Sequence, residues 1–182
     1  MDVALLAASI NKSFNYFGML AAKDYWFDNR IKRILVNIVM NLIPIDRKVD
    51  GVRQFSIDET LSLCDAFMNY NNRNIIMFPE GTRGIPGEMG AFKIGAAKFA
   101  IQLNVPILPA LVVGSHKAWP KDKIFMRPTP IQIHILDPIY PEKFTQQNVL
   151  GETREDNLDQ AARNMTTELE NTIREKGRAF YG

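Results

Sequence analysis

The segment from residue 74 to residue 113 constrains the fold more than any other part of the chain. It begins with a short apolar run, NIIMF at 74–78, and it ends with a second one, VPILPALVV at 105–113. Such runs are typical of strands that are buried on both faces, and the stretch between them, rich in small residues, indicates a helix over 91–103. A strand, a helix and a strand in this order predict a βαβ unit with parallel strands and a right-handed crossover.

The residues before this segment show helical patterns. Asp2 suits the N-cap or the first turn of a helix in DVALLAASINKSF. Apolar residues recur at helical spacing in DNRIKRILVNIVMNLI, and Pro44 is predicted to end that helix. The residues with this spacing are Ile31, Ile34, Leu35, Ile38 and Leu42.

Three further patterns complete the outline. Ser56 and Glu59 form a capping-box pair at the start of a helix in SIDETLSLCDAFMNYNN. The segment IQIHI at 131–135 alternates apolar and polar residues, which indicates a half-exposed strand near a sheet edge. The residues from Glu155 to Phe180 form a polar helix with one apolar stripe. The stripe consists of Leu158, Ala162, Met165, Leu169 and Ile173.

No internal repeat, low-complexity tract or linker divides the 182 residues. We therefore predict a single α/β domain over 1–182, with a mostly parallel central sheet flanked by helices and a C-terminal amphipathic helix. A net charge of +2 gives no reason to expect nucleic-acid binding. The single cysteine, Cys64, excludes an internal disulfide and is expected to be a packed, unreactive thiol.

No apolar stretch reaches the length of about 20 residues that a membrane-spanning helix needs. The most apolar long stretch is interrupted by Lys32 and Arg33 and stops at Pro44. No basic region followed by an apolar core stands at the start, so no secretory signal is expected.

Polar and charged residues are concentrated directly after the first predicted strand, in PEGTRG at 79–84. Ligands in open parallel sheets collect beyond the carboxyl ends of strands. Arg83 offers a planar fork of hydrogen-bond donors for a phosphate. Backbone N–H groups around Gly81 and the Thr82 hydroxyl add neutral donors. Glu80 can orient the arginine or a hydroxyl of the ligand. The pattern indicates a site for an anionic ligand that carries hydroxyls, although each residue could also serve only the turn or a surface ion pair. It is not a Walker loop, and GIPGEMG downstream is interpreted as a flexible connection.

FPEGTRG at 78–84 resembles the most specific motif of the glycerolipid acyltransferases of the lysophosphatidic acid acyltransferase family, residue by residue. The FKxG element of that family is matched by Phe92–Gly95, which includes Lys93, and its proline-containing motif by VPILPA, with Pro106 and Pro109. NLIPIDR, which ends in Arg47, is similar to the second motif, except that Asn41 stands where the family usually has glycine. The resemblance covers almost the whole chain.

The first motif of the family is a histidine, four residues and an aspartate, and the chain departs from it. MDVALLAAS is similar to the end of this motif, which assigns Asp2 to the aspartate and places the histidine before the chain begins. The resemblance therefore predicts a member whose N-terminal part is absent, and a chain that is inactive as given. For Asp2 a helix N-cap and a catalytic role are compatible.

The resemblance implies transfer of an acyl chain from acyl-CoA or acyl carrier protein to a hydroxyl of a lysophospholipid or glycerophosphate, most simply of lysophosphatidic acid. It implies a membrane-surface enzyme, peripheral or monotopic on the cytoplasmic side, with no cofactor, no metal and no nucleic-acid partner. The implied substrate-binding residues are Arg47, Glu80, Gly81, Thr82, Arg83 and Lys93, and Pro79, Pro106 and Pro109 shape the motifs. We expect Arg47 and Arg83 to converge on one phosphate, although Arg47 could instead pair with a neighbouring aspartate.

Two histidines occur in the chain, and neither stands in a family motif. His134 shares a predicted strand face with Gln132 and is interpreted as a partly exposed strand residue. His116 follows the second predicted strand and is a minor candidate for a substitute base. The alternative to an enzyme is a phospholipid- or acyl-binding module that keeps the arginine-rich site without a base.

Overall fold

The structure is a computed structural model that describes residues 2–22, 41–45, 56–81, 88–118, 125, 127–146 and 153–181. The chain divides into two compact units, Met1–Met77 and Phe78–Gly182, and each is described by itself. The expectation of a single domain over 1–182 stays a prediction.

A parallel three-stranded sheet with helices forms the first unit. Its elements are helix α1 (Asp2–Ser9), a 3-10 turn (Phe14–Tyr16), strands β1 (Phe17–Ala22) and β2 (Asn41–Ile45), helix α2 (Ile57–Asn69) and strand β3 (Asn74–Ile76). The strand order is β2-β1-β3, and both pairs are parallel. Gly18, the second residue of β1, lies opposite Asn41 on one side and Ile75 on the other.

Apolar side chains from α1 and the sheet form the core of this unit. Val3 and Ala7 of α1 are buried together with Phe17, and half-buried Met19 and Ile76 pack against them. Helix α2 approaches the sheet at Gly18, where an added Cβ would lie 2.8 Å from the ring of Phe67. A glycine is therefore needed at this position of β1 for α2 to pack this closely.

Cys64 of α2 is completely buried, as predicted for a packed thiol. Burial raises the pKa of the Cys64 thiol to about 11. Because the thiolate is the reactive form, this cysteine is a core residue and not a nucleophile.

The helix predicted over 28–43 is wrong at its C-terminal end. Residues 41–45 form β2, and most of the preceding pattern lies outside the described residues. Pro44, predicted as the residue that ends a helix, lies inside this strand and pairs with Ala21 of β1. Within the described sheet β2 is an edge strand, with a neighbour on one side only. Edge strands tolerate proline, which has no N–H to donate to a neighbouring strand.

The capping box predicted for α2 is confirmed. The Glu59 N–H donates to the Ser56 hydroxyl at 3.0 Å, and the Ser56 N–H donates to the Glu59 carboxylate at 3.1 Å. Two N–H groups that the first helical turn would leave unpaired are thereby satisfied.

We expect Ser56→Ala to lower the free energy of unfolding by about 1 kcal/mol, because it removes one of these acceptors. Urea unfolding monitored by circular dichroism measures the difference. Ser62→Ala on the same helix is the matched control, since the Ser62 hydroxyl donates only to the Asp58 carbonyl one turn earlier. Equal losses in the two variants would contradict a specific contribution of the cap.

The second unit combines helices with an antiparallel pair of strands. Its elements are α3 (Gly95–Leu103), β4 (Ala110–Val113), α4 (Ser115–Ala118), β5 (Gln132–Ile135), α5 (Glu142–Thr145) and α6 (Arg154–Tyr181). Leu111 of β4 lies opposite His134 of β5, and an isolated bridge joins Ile107 to Ile139.

Helix α6 is the main contributor to the hydrophobic core of the second unit. Its predicted stripe is buried at Ala162, Met165, Leu169 and Ile173, whereas Leu158 is half-buried. The four buried residues of the stripe form one cluster with Ala97 and Ala100 of α3 and Leu111 of β4. The small residues of α3 therefore let it lie close to α6.

The predicted βαβ unit is wrong in its pairing, although the α/β class, the parallel sheet with flanking helices and the C-terminal helix are confirmed. Strand β4 pairs antiparallel with β5 and belongs to a different sheet from β3. Pro106 and Pro109 supply no N–H, so regular pairing in the run 105–113 begins only at Ala110. Strand β3 is limited to 74–76 and is partly exposed, and not buried on both faces as predicted.

Among the helices that the structure describes, none is both long enough and apolar enough to cross a membrane. Helix α6 has 28 residues, but its exposed face is polar and charged.

Candidate functional site

A tight turn opens the second unit and carries the first half of the predicted site. The Gly81 N–H donates to the Phe78 carbonyl at 3.0 Å, which closes a turn over 78–81. Gly81 has a φ of +68°, in the left-handed region that favours glycine. The Pro79 carbonyl accepts a hydrogen bond from the Lys93 N–H at 2.8 Å, so the turn is joined to the start of the FKxG element.

The Lys93 side chain lies against the backbone of Gly81. An added Cβ at Gly81 would be 3.0 Å from both Cδ and Nζ of Lys93. Lys93 is exposed, and within the described part of the chain its ammonium group forms no ion pair. A positive charge held at this exposed turn is suited to binding an anion.

Glu80 is fixed by a backbone donor. Its Oε2 atom accepts a hydrogen bond from the Gly90 N–H at 3.0 Å. An added Cβ at Gly90 would lie 2.8 Å from that same oxygen, so glycine is the residue that lets the carboxylate approach. The structure thus brings together Glu80, Gly81 and Lys93 of the predicted site.

Helix α6 contacts the segment that holds Glu80 and Lys93. The Phe92 N–H donates to Oε2 of Glu170 at 3.1 Å, and Nε of Arg174 donates to Oε1 of Glu170 at 2.8 Å. The same guanidinium donates through Nη2 to the carbonyls of Gly90, at 2.9 Å, and Met89, at 3.3 Å. We call Glu170 and Arg174 the α6 brace.

Partial burial would raise the pKa of the Glu170 carboxyl, but the Phe92 N–H and the Arg174 guanidinium outweigh it and hold the pKa below its ordinary value of 4.5. Because the pKa is lower in the folded state than in the unfolded state, ionised Glu170 adds stability above that value. This contribution is lost as the pH falls through the lowered pKa. The brace is thus fully formed at neutral pH.

The remaining predicted site residues are placed only in part. Asp2 is the first residue of α1, in the first unit, which is compatible with its predicted position at a helix start. Arg47, Thr82 and Arg83 lie outside the described residues, so the convergence of Arg47 and Arg83 on one phosphate stays a prediction. Pro106 and Pro109 lie in the irregular segment before β4, and Pro109 is fully buried.

The interpretation of His134 is confirmed. Its Nε2 atom lies 3.2 Å from the Gln132 side-chain oxygen on the same strand face, and its ring lies 4.7 Å from that of Phe180. His116 lies in α4 and is half-buried. Its role as a substitute base stays a minor hypothesis.

No sequence pattern described above identified three of the residues that contact the site. Gly90 belongs to a stretch interpreted only as a connection, and Glu170 and Arg174 belong to the polar face of α6. An i, i+4 pair of opposite charges usually indicates a solvated helix face. Glu170 and Arg174 differ from such a solvated pair because they contact backbone groups about 80 residues earlier in the chain. A local sequence pattern cannot reveal a contact over that separation.

We expect Gly81→Ala to lower the free energy of unfolding by about 1–2 kcal/mol, because a Cβ is disfavoured at positive φ, and to displace the Lys93 side chain. Thermal and urea unfolding measure the loss. Gly95→Ala is the matched control, since a Cβ at the start of α3 meets no atom within 4 Å. A Gly81→Ala protein as stable as the control would contradict the conformation assigned to this turn.

Comparison with known proteins identifies the family of this chain. A family model described as Acyltransferase matches residues 1–113. The match covers more than half of the chain and includes α1, the 78–81 turn and Lys93. The chain belongs to the acyltransferase family.

Several curated relatives carry the name 1-acyl-sn-glycerol-3-phosphate acyltransferase. The chain is 40% identical over 107 residues to the protein from Limnanthes douglasii, with 59% of this chain and 37% of that protein covered. It is 39% identical over 110 residues to the alpha form from Mus musculus, with 59% and 37% covered. It is 34% identical over 106 residues to the protein from Haemophilus influenzae, with 56% and 41% covered. The chain thus spans well under half the length of these relatives.

One solved structure has the same fold. It is the 1-acyl-sn-glycerophosphate (LPA) acyltransferase PlsC from Thermotoga maritima, with a TM-score of 0.51 and 19% identity. The likeness covers 85% of this chain and 56% of that one. At this identity it supports the fold and not the substrate.

Proposed function

We propose that the protein containing this chain transfers a fatty acyl group from acyl-CoA or acyl carrier protein to the free hydroxyl of lysophosphatidic acid, which yields phosphatidic acid. The observation that carries the proposal is the arrangement at the 78–81 turn. The Lys93 side chain lies against Gly81, and the neighbouring Glu80 carboxylate is held by the Gly90 N–H. The names of the relatives above support the choice of acceptor.

The acceptor phosphate is the group that this arrangement suits best. The Lys93 ammonium supplies a positive charge at a defined place, and Arg83, two residues after Gly81, adds a planar fork of donors by its position in the motif. The second oxygen of the Glu80 carboxylate, which has no partner among the described residues, can accept from a hydroxyl or a guanidinium, while Oε2 accepts from the Gly90 N–H. The site would therefore distinguish a phosphorylated glycerol from an uncharged one.

The transfer itself needs a base. The acceptor oxygen attacks the thioester carbonyl, the new C–O bond forms, the C–S bond breaks, and the thiol leaves with the proton that the base took from the alcohol. In the family a histidine is this base and the motif aspartate orients it, a role that the resemblance assigns to Asp2. We infer that the base is not among these 182 residues and that the chain as given binds without efficient turnover.

The substrates set the place of action. Lysophosphatidic acid and the product carry acyl chains, so we propose that the enzyme works at a membrane surface, on its cytoplasmic side. Acyl-CoA or acyl carrier protein acts as a substrate, and we propose no cofactor or metal.

The test is kinetic and uses the full-length protein. We expect Lys93→Met to raise the KM for lysophosphatidic acid about 10-fold, as for the loss of one charged hydrogen bond, with little change in the KM for the acyl donor. Lys98→Met is the matched control, since it removes the same charge from α3, where Lys98 pairs with Asp159.

Equal effects of the two substitutions on the acceptor KM would remove Lys93 from the acceptor site. Saturable binding of lysophosphatidic acid without any acyl transfer by the full-length protein would instead favour the alternative of a phospholipid-binding module.

A further inference from the structure

We propose that Glu170 and Arg174, the α6 brace, are positioning residues for the acceptor site, which they hold in place through the segment 88–93. The inference rests on the proposed function, because it takes Glu80 and Lys93 to be acceptor-binding residues. Neither residue of the brace belongs to a motif of the family. Their effect on the site is indirect.

The first step is the contact between α6 and the segment. Arg174 donates to the carbonyls of Gly90 and Met89, and Glu170 accepts from the Phe92 N–H. Residues 88–93 form neither a helix nor a strand, so these backbone groups have no partner from regular secondary structure. Three backbone groups in a stretch of four residues are thus satisfied by two side chains of one helix.

The second step is the contact between the segment and the turn. The Gly90 N–H donates to Glu80, and the Lys93 N–H donates to the Pro79 carbonyl. Gly90 therefore contacts Arg174 through its carbonyl and Glu80 through its N–H. A shift of Gly90 would move the Glu80 carboxylate that its N–H holds, and a shift of the whole segment would also move the backbone of Lys93.

The third step is the rigidity of the helix that carries the brace. Leu169 and Ile173 of α6 are buried immediately before Glu170 and Arg174, and both belong to the main core cluster. Side chains on a packed helix hold a site more accurately than a loop can by itself. A displacement of about 1 Å at a binding group can cost up to about 100-fold in rate.

The other ion pairs described on α6 have different targets. Asp159 pairs with Lys98 of α3, and Glu168 pairs with Lys143 of α5 at 2.5 Å. Both join α6 to another helix. Among the ion pairs of the described residues, the Glu170–Arg174 pair is the one whose members also form hydrogen bonds to the segment that contacts the 78–81 turn.

The experiment compares Arg174→Met, Arg174→Lys and Glu170→Gln with Glu168→Gln in the full-length protein. Glu168→Gln is the matched control, because it weakens an ion pair of α6 that does not contact the segment. Steady-state kinetics give the KM for lysophosphatidic acid, the KM for the acyl donor and kcat, and thermal unfolding shows that each variant is folded.

We expect Arg174→Met to raise the acceptor KM about 10-fold, in line with the loss of charged hydrogen bonds that position a binding group. The donor KM should change little. Arg174→Lys should lie between the wild type and Arg174→Met, because one ammonium replaces only part of the guanidinium fork. Glu170→Gln should raise the acceptor KM by less, and Glu168→Gln should leave it unchanged.

Gly90→Ala provides an independent test that leaves α6 intact. Its Cβ would lie 2.8 Å from the Glu80 carboxylate, so it should raise the acceptor KM as Arg174→Met does. Combining Arg174→Met with Glu80→Gln should give less than the product of the two separate effects, since both act on the same carboxylate.

The outcomes separate the inference from the proposed function. If Glu80→Gln raises the acceptor KM and Arg174→Met behaves as Glu168→Gln does, the positioning role is overturned and the proposed function stands. If Lys93→Met and Glu80→Gln leave the acceptor KM unchanged, the proposed acceptor site fails and the inference fails with it.

Discussion

The 182-residue chain should transfer acyl groups at least about 100-fold more slowly than a longer chain that carries a histidine five positions before Asp2. General-base catalysis is typically worth about 10²–10⁴-fold, and the loss of one member of a coupled catalytic unit often costs more. The two histidines present, His116 and His134, stand in no motif of the family, and His134 is engaged with Gln132 on β5.

An acyl-transfer assay of the two chains side by side, with lysophosphatidic acid and acyl-CoA, makes the measurement. The control is the longer chain with alanine in place of that histidine, which should be as slow as the 182-residue chain. Equal activity of the short and long chains would refute the assignment of the base and make His116→Ala the next variant to examine.

The second large effect is expected at Arg83. Arg83→Ala in the full-length protein should weaken use of the phosphorylated acceptor by about 2–4 kcal/mol, because it removes charged hydrogen bonds to the phosphate. Arg83→Lys should restore only part of the loss, since a point charge does not replace the planar fork. The ratio kcat/KM measured at subsaturating lysophosphatidic acid reports the change.

Arg163→Ala is the matched control, since Arg163 is exposed on α6. If Arg83→Ala behaves as this control does, Arg83 has no part in phosphate binding. If its effect disappears with an acceptor that lacks the phosphate, the arginine is assigned to that group.

The features that the sequence predicts correctly are those set by neighbours in the chain. The capping box of Ser56 and Glu59 spans three residues, and the buried stripe of α6 repeats every three or four. The shared face of Gln132 and His134 follows from the two-residue period of a strand. The 78–84 motif identifies the family for a similar reason, because its residues are consecutive.

The features that the sequence does not predict depend on contacts between distant segments. Helical spacing around Leu42 suggests a helix, yet pairing with β1 places this residue in a strand. The run 105–113 is apolar enough for a buried strand, but its prolines and the partner β5 decide where and how it pairs. The α6 brace is the extreme case, since 84 residues separate Gly90 from Arg174.

Because α6 carries buried residues on one face and the brace residues on another, insertions and deletions within this helix have a defined cost. The buried residues Leu169 and Ile173 and the brace residues Glu170 and Arg174 point to different partners from the same two turns. Inserting or deleting one residue between Ala162 and Glu170 would rotate the later part of the helix by about 100° relative to the earlier part. If Ala162 stayed in the core, Leu169 and Ile173 would turn out of it and Arg174 would turn away from Gly90 at the same time. A change of one residue in the length of this stretch would therefore disrupt the core and the brace together, whereas a substitution at an exposed position leaves the helix register unchanged.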